Sequence, residues 1–424
     1  MKFKKKTLSN GVRLIMAHMP NSLTTTVLVL TETGSKYETK NINGVSHFLE
    51  HLCFKGTEKR PSARAVSEEL DGLGASYNAF TGHEYTGYYA KAEARHFKNV
   101  LDVLSDIYLN GTFPAEEIEK ERGVIIGEIQ MYEDNPQRDI WDAFTALLYG
   151  NQPAGWPIAG TRNIIKRIQR ADIVGYKKKH YVASSTVVVV AGKYEEKEVV
   201  REVARMFKDI PKSPKTGKKK IQDIQKKPAV FIKYKKTSQT HLILGFRAYK
   251  ATHKDSVALY VLAAILGGGM SSRLFHRIRD QLGAGYYISA ENDALTDHGF
   301  FAISTGVDNK RVSEILHAIA DEIRLIKNQP VGEAELKKVK NYLIGNLFSG
   351  LETSHARAQF YGFEEVIQKK IKTPEEQARD IRLISINDIS RIAQNIFKKQ
   401  HMNLALVGPF TKKDKKEFTA ALKV

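Results

Sequence analysis

Apolar residues cluster in two short stretches near the start of the chain, at about 12–18 and 24–33, and both predict strands. The period then changes. In "NGVSHFLEHLCF" (43–54), Val45, Phe48, Leu49 and Leu52 fall on one helical stripe, and Asn43 or Gly44 can open the helix. A further helix follows Pro61 and Ser62, and a strand pair around 76–91 meets near "TGHE". Helices are predicted at about 95–109, 115–134, 136–149 and 171–180, then a strand at 186–191 and a helix at 195–208. The outline begins again at Val230. Strands grouped with several helices, without strict βα alternation, predict an α+β fold of sheet and helix layers rather than a Rossmann sheet.

The second outline echoes the first in detail. "ADIVGYKKKHYVASSTVVVVAGKY" and "NDISRIAQNIFKKQHMNLALVGPF" both pass from Asp-Ile through a basic helix to an apolar strand closed by glycine. The interval from Asp172 to Gly192 equals that from Asp388 to Gly408. "PAEEIEKERGVIIGEIQ" (114–130) likewise echoes "VGEAELKKVKNYLIGNLFSG" (331–350), with Pro114 opposite Val331 and Gly127 opposite Gly345. Two echoes at nearly one offset imply two homologous αβ domains. We place them at 1–210 and 230–424, joined by the basic linker "PKSPKTGKKKIQDIQKKPA" (211–229).

Composition narrows the function classes. The 424 residues are 42% hydrophobic and 27% charged, an ordinary globular balance. No run reaches the roughly 18–20 apolar residues that span a membrane. The opening "MKFKKKTLSNGVRLIMAHM" lacks a signal peptide's apolar core and reads as a strand after an Asn10-Gly11 turn. A single cysteine precludes an intrachain disulfide, and with these features the expected location is cytoplasmic. Cys53 itself reads as a packing residue. The net charge of +19 invites an anionic partner, yet no zinc finger or RNA-binding signature accompanies it and many lysines sit in the linker, so nucleic acid is not the expected partner.

The helix at 43–54 carries candidate chemistry. His47 and His51 stand four apart on one face and can share a metal ion, and Glu50 lies on nearly the same face, placed to act as a general base. A catalytic zinc takes a third protein ligand. Glu121 and Glu128, seven apart among Val124, Ile125 and Ile129, both qualify, because a carboxylate on an apolar face needs a partner. In the second copy Asn346 replaces Glu128 and the segment opposite the histidines reads "LAAILGGGM", so the candidate ligands are lost together.

An H-x-x-E-H motif with 76 residues between its last histidine and Glu128 resembles the pitrilysin/insulinase family of inverzincin zinc metallopeptidases. The likeness runs the length of the chain, through "NGVRLI", "GVSHFLEHLCFKGT", "NAFTGHEYTGYYA", "ERGVIIGEIQMYEDNP" and "LGGGMSSRLFHRIRDQLGAGYYISA". The resemblance implies one zinc per chain held by His47, His51 and Glu128, with Glu50 as base and Glu121 behind a ligating histidine. It implies that "SYNAFT" receives peptide substrate as an added strand, through Asn78 and Ala79, and that Arg279 and Tyr286 hold the substrate backbone. The family's chamber needs four domains and this chain supplies two. A homodimer is therefore expected, each site joining one chain's zinc to the other's Arg279 and Tyr286. Three other readings compete: an inactive or partner-dependent processing subunit, a nucleic-acid-binding protein, and a mitochondrial presequence processor.

Overall fold

The structure is a computed structural model that describes residues 2–422. It contains two mixed sheets, each in its own compact unit. The first sheet is built from β1 (Lys4–Thr7), β2 (Arg13–His18), β3 (Thr24–Thr31), β4 (Ser76–Thr81), β5 (Thr86–Glu93) and β6 (Thr186–Gly192), in the order β1-β2-β6-β3-β5-β4. The second holds β7 (Ala229–Tyr234), β8 (Gln239–Ala248), β9 (Tyr287–Ala294), β10 (Gly299–Asp308) and β11 (Met402–Gly408), in the order β7-β11-β8-β10-β9. Setting β1 aside, the two orders coincide strand for strand. The single parallel pairing recurs as well, β2 with β6 and β7 with β11. Chance does not produce a shared order with a shared exception, and the fold is a duplicated α+β architecture.

In the first unit both faces of the central strands are buried, which is why "TVVVVAG" reads as a continuous apolar run. Leu14, Met16, Val27, Val29, Val188 and Val190 point to one face. There they meet α1 (Val45–Cys53), α2 (Ala63–Gly72) and α3 (Phe97–Asn110) through residues such as Phe48, Leu52, Leu70, Leu101 and Leu104. Cys53 is fully buried in this core. Ile15, Leu28, Leu30, Val187 and Val189 point to the other face.

That second face is covered from a distant part of the chain. The first unit comprises residues up to Gln130, Trp156–Lys219 and Phe348–Thr373. The helix Ser354–Phe363 lies on β2, β3 and β6, where Ala358 and Tyr361 are buried, and Ser354 Oγ lies 2.9 Å from Thr26 Oγ1. The second unit comprises Met131–Gly155, Lys220–Leu347 and the chain from Pro374 onward. After α4 (Ala115–Asp134), helix α5 (Pro136–Tyr149) packs Ile140, Phe144 and Leu148 against Ile243, Phe300, Ala405 and Val407 of that unit's sheet. α5 and Ser354–Phe363 occupy equivalent places in the repeat, so the compact units cut across the halves 1–210 and 230–424.

The linker region 211–228 forms no helix or strand. Two of its lysines reach buried carboxylates of the first unit, Lys215 at Glu32 and Lys218 at Glu84, and Lys36 also meets Glu84, at 2.6 Å. These linker lysines thus serve as internal ion-pair partners of the first unit. Among the described residues no helix is long and apolar enough to cross a membrane.

Candidate metal centre

Helix α1 puts Val45, Phe48, Leu49 and Leu52 into the core and thereby turns His47, Glu50 and His51 to its other side. Helix α4 faces it with Glu121 and Glu128, two turns apart on one side. His47 Nε2 lies 3.5 Å and His51 Nε2 3.6 Å from Glu128 Oε2. One ligand atom from each of the three residues lies within 4.8 Å of the others. Donors bound tetrahedrally at zinc's usual ~2.0–2.1 Å stand roughly 3.4 Å apart, so two imidazole nitrogens and a carboxylate at these separations suit such an ion.

Glu121 has a different place. Its Oε2 lies 3.0 Å from His51 Nδ1 and its Oε1 2.7 Å from Lys55 Nζ. Burial works to raise this carboxyl, but Lys55 and His51 outweigh it and hold it below the ordinary range. An ionised Glu121 is an acceptor only, so the His51 Nδ1–H donates to it, and the Nε2 of the same ring faces Glu128. His47 is depressed to about 4, by burial first and by His51 second, against the pull of Glu128. It is therefore neutral at ordinary pH, as a metal ligand must be. Its Nδ1 is buried without a hydrogen-bond partner.

Glu50 is buried beside this cluster, and the Thr81 hydroxyl donates to its Oε2. Burial raises its pKa above the ordinary value, with Glu128 adding to the effect and Thr81 and His51 opposing it. Thr81 is the last residue of β4, an edge strand paired only with β5. Asn78 and Ala79 lie on the same strand, and the Ala79 amide donates to Asn78 Oδ1 at 2.8 Å. One neighbourhood of the first unit thus gathers His47, His51, Glu128, Glu121, Glu50 and the end of the strand expected to receive substrate. Thr81 and Lys55 were not singled out from sequence. The signals available for them were a place in "SYNAFT" and a position one helical turn past His51.

Comparison with known proteins gives this arrangement a lineage. The model of the insulinase family, peptidase family M16, matches residues 13–162, and that of the peptidase M16 inactive domain matches 167–343. A Bacillus subtilis protein described as uncharacterized zinc protease YmxG is 33% identical over 96% of this chain and 98% of its own length. The chain belongs to the insulinase (M16) family. An uncharacterized zinc protease of Mycobacterium leprae is 30% identical to this M16 chain over 96% of it and 92% of its own length. Two solved structures share the fold. A protease from Helicobacter pylori has a TM-score of 0.90 at 22% identity, covering 96% of this chain and all of its own. A peptidase M16 inactive domain from Pseudomonas fluorescens has a TM-score of 0.89 at 18% identity, covering 97% and 99%.

In the second copy of this M16 chain the helix that corresponds to α1 carries no histidine or glutamate. The segment "LAAILGGGM" ends the helix Ser256–Gly267, which is buried from Val261 to Gly267. A Cβ placed on Gly267 would lie 2.2 Å from the Ala290 nitrogen of β9, the counterpart of β4. The helix and β9 approach too closely there for any side chain at position 267. Arg279 and Tyr286 also lie in the second unit. Arg279 Nη1 donates to the carbonyls of Gly285 (3.3 Å) and Tyr286 (2.8 Å). These bonds hold a turn in which Gly283 and Gly285 take φ of +58° and +84°, a conformation that suits glycine. Tyr286 is 62% exposed, and both residues line an open cavity of about 640 Å³ with Lys310 and Arg311.

Proposed function

We propose that this M16 chain is a zinc-dependent endopeptidase acting on short or unfolded peptides, with one zinc per chain held by His47, His51 and Glu128. The observation that carries the proposal is the convergence of these three side chains beside a buried Glu50. Zinc in that position supplies Lewis-acid polarisation and lowers the pKa of water. Glu50 removes a proton from the attacking water and returns it to the leaving amine, and its raised pKa brings it nearer the working pH for both transfers. Thr81 holds the carboxylate in place for this. Glu121 keeps His51 in the tautomer that presents Nε2.

The edge of β4 offers a peptide backbone pairing at Asn78 and Ala79, so recognition rests on main chain more than on side chains. Arg279 and Tyr286 hold the substrate backbone from the second copy's side. The functional assembly is a homodimer in which each site takes its metal half from one chain and its Arg279 and Tyr286 from the other. Cleavage of an internally quenched peptide, loss of that cleavage on chelation and its return with zinc test the activity. Metal-independent cleavage, or none by a zinc-loaded dimer, contradicts the proposal.

A further inference from the structure

Helix α1 has only nine residues, too few to be stable alone, and its cap residue Gly44 brings no side chain to its free N–H groups. The missing acceptor comes from outside the helix. Glu38 Oε2 accepts from the Gly44 amide (2.8 Å) and from Asn43 Nδ2 (2.8 Å), and its Oε1 accepts from the Ser46 amide (2.8 Å). His47 is the next residue, so the positive end of the helix dipole lies within one turn of a candidate ligand, where it disfavours a cation.

Glu38 is 5% exposed, and all three of its hydrogen-bond partners belong to this helix start. A buried carboxylate without a basic side chain against it is costly unless positive charge lies close by. Burial pushes its carboxyl up to about 7, against hydrogen bonds from the Ser46 hydroxyl, the Ser46 and Gly44 amides and the Asn43 side chain that hold it down. The helix end supplies about half a unit of positive charge against it. Glu38 is therefore suited to two tasks at once, fixing the start of α1 and offsetting the helix dipole beside the metal.

We propose that Glu38 is a positioning residue for the metal centre, setting zinc affinity by anchoring the first turn of α1 beneath His47. This rests on the zinc reading above. The test uses the full chain. Zinc affinity is measured by competition with a chromophoric chelator, and ligand geometry by the visible spectrum of the cobalt(II)-loaded protein. Glu38→Gln keeps the shape but sets an amide NH2 against N–H donors. It is expected to bind zinc some 10–100-fold more weakly, with displaced cobalt bands, while the metal-free chain still melts cooperatively. Asn43→Ala removes one donor to Glu38 and keeps the carboxylate. A smaller loss in the same direction is expected from it, and it serves as the test should Glu38→Gln not fold. Parent-like affinity and cobalt spectrum in these variants, even with a lower melting temperature, would show a purely structural role and overturn the proposal. A parent chain that takes up no zinc overturns the metal reading itself, and this inference with it.

Discussion

Thr81 donates its hydroxyl hydrogen to Glu50 and so ties the end of edge strand β4 to the helix that carries both histidines. The strand suited to take substrate and the residue suited to move its proton are thereby joined by one hydrogen bond. Thr81→Val removes the hydroxyl at nearly constant shape. A hydrogen bond to a charged group contributes about 1.5–3 kcal/mol, so turnover is expected to fall roughly 10–100-fold with little change in KM or zinc content. Thr81→Ser keeps the hydroxyl and should keep most activity. Steady-state kinetics on the pair decide it, and a serine variant as impaired as the valine one would remove Thr81 from the mechanism.

Glu128 and Glu121 stand on one face of α4 but meet the histidines differently. Glu128 approaches both Nε2 atoms, whereas Glu121 reaches only His51 Nδ1. Glu128→Gln is expected to weaken zinc retention much more than Glu121→Gln, for which a 10–100-fold effect is typical. A graded chelator series ranks them. The opposite ranking would make Glu121 the ligand.

His180 is buried against the rings of Tyr37 and Tyr176, and burial, aided by Lys179, depresses it to about 4. An unfolded histidine takes its proton near 6.5. Between those values the unfolded chain binds more protons than the folded one, so the stabilisation is complete above pH 6.5 and is lost as pH falls toward 4. The metal-free chain should melt at progressively lower temperature across that window, and His180→Gln should flatten the slope. An unchanged slope in the variant would show that His180 does not contribute to it.

A shared site has a consequence that two inactive chains can reveal. Glu50→Gln disables the metal half, and Arg279→Ala with Tyr286→Phe disables the substrate-holding half. In a mixed dimer one site carries both faults and the other carries none, so up to about half the activity per mixed dimer should return. Tagged co-purification establishes that subunits have exchanged. Exchange without recovered turnover would leave each chain completing its own site.

The parts of the fold legible in the sequence are those governed by local pattern. "TVVVVAG" declares a strand buried on both faces, and the spacing of Val45, Phe48, Leu49 and Leu52 turns His47, Glu50 and His51 to the opposite side of α1. The duplication is visible because both copies keep their strand-closing glycines, Gly192 and Gly408. β1 escaped notice because "KKKT" is exposed throughout and has no apolar alternation. The destinations of α5 and Ser354–Phe363 escaped too. An amphipathic face shows that a helix is covered, but not which sheet covers it. Lys55, Thr81 and Glu38 belong to the same class, since their partners come from tertiary contact. The pairing of Lys215, Lys218 and Lys369 with the buried Glu32 and Glu84 is of the same kind, because composition counts charges and does not show which of them meet.

The most direct test is Glu50→Gln, with zinc content and peptide turnover measured on the same preparation. Glu50 stands beside the three candidate ligands without being one of them, so the amide should spare coordination and abolish proton transfer. The expected result is one zinc per chain, as in the parent, with most turnover gone. Near-normal turnover, or zinc lost in step with activity, would contradict the account.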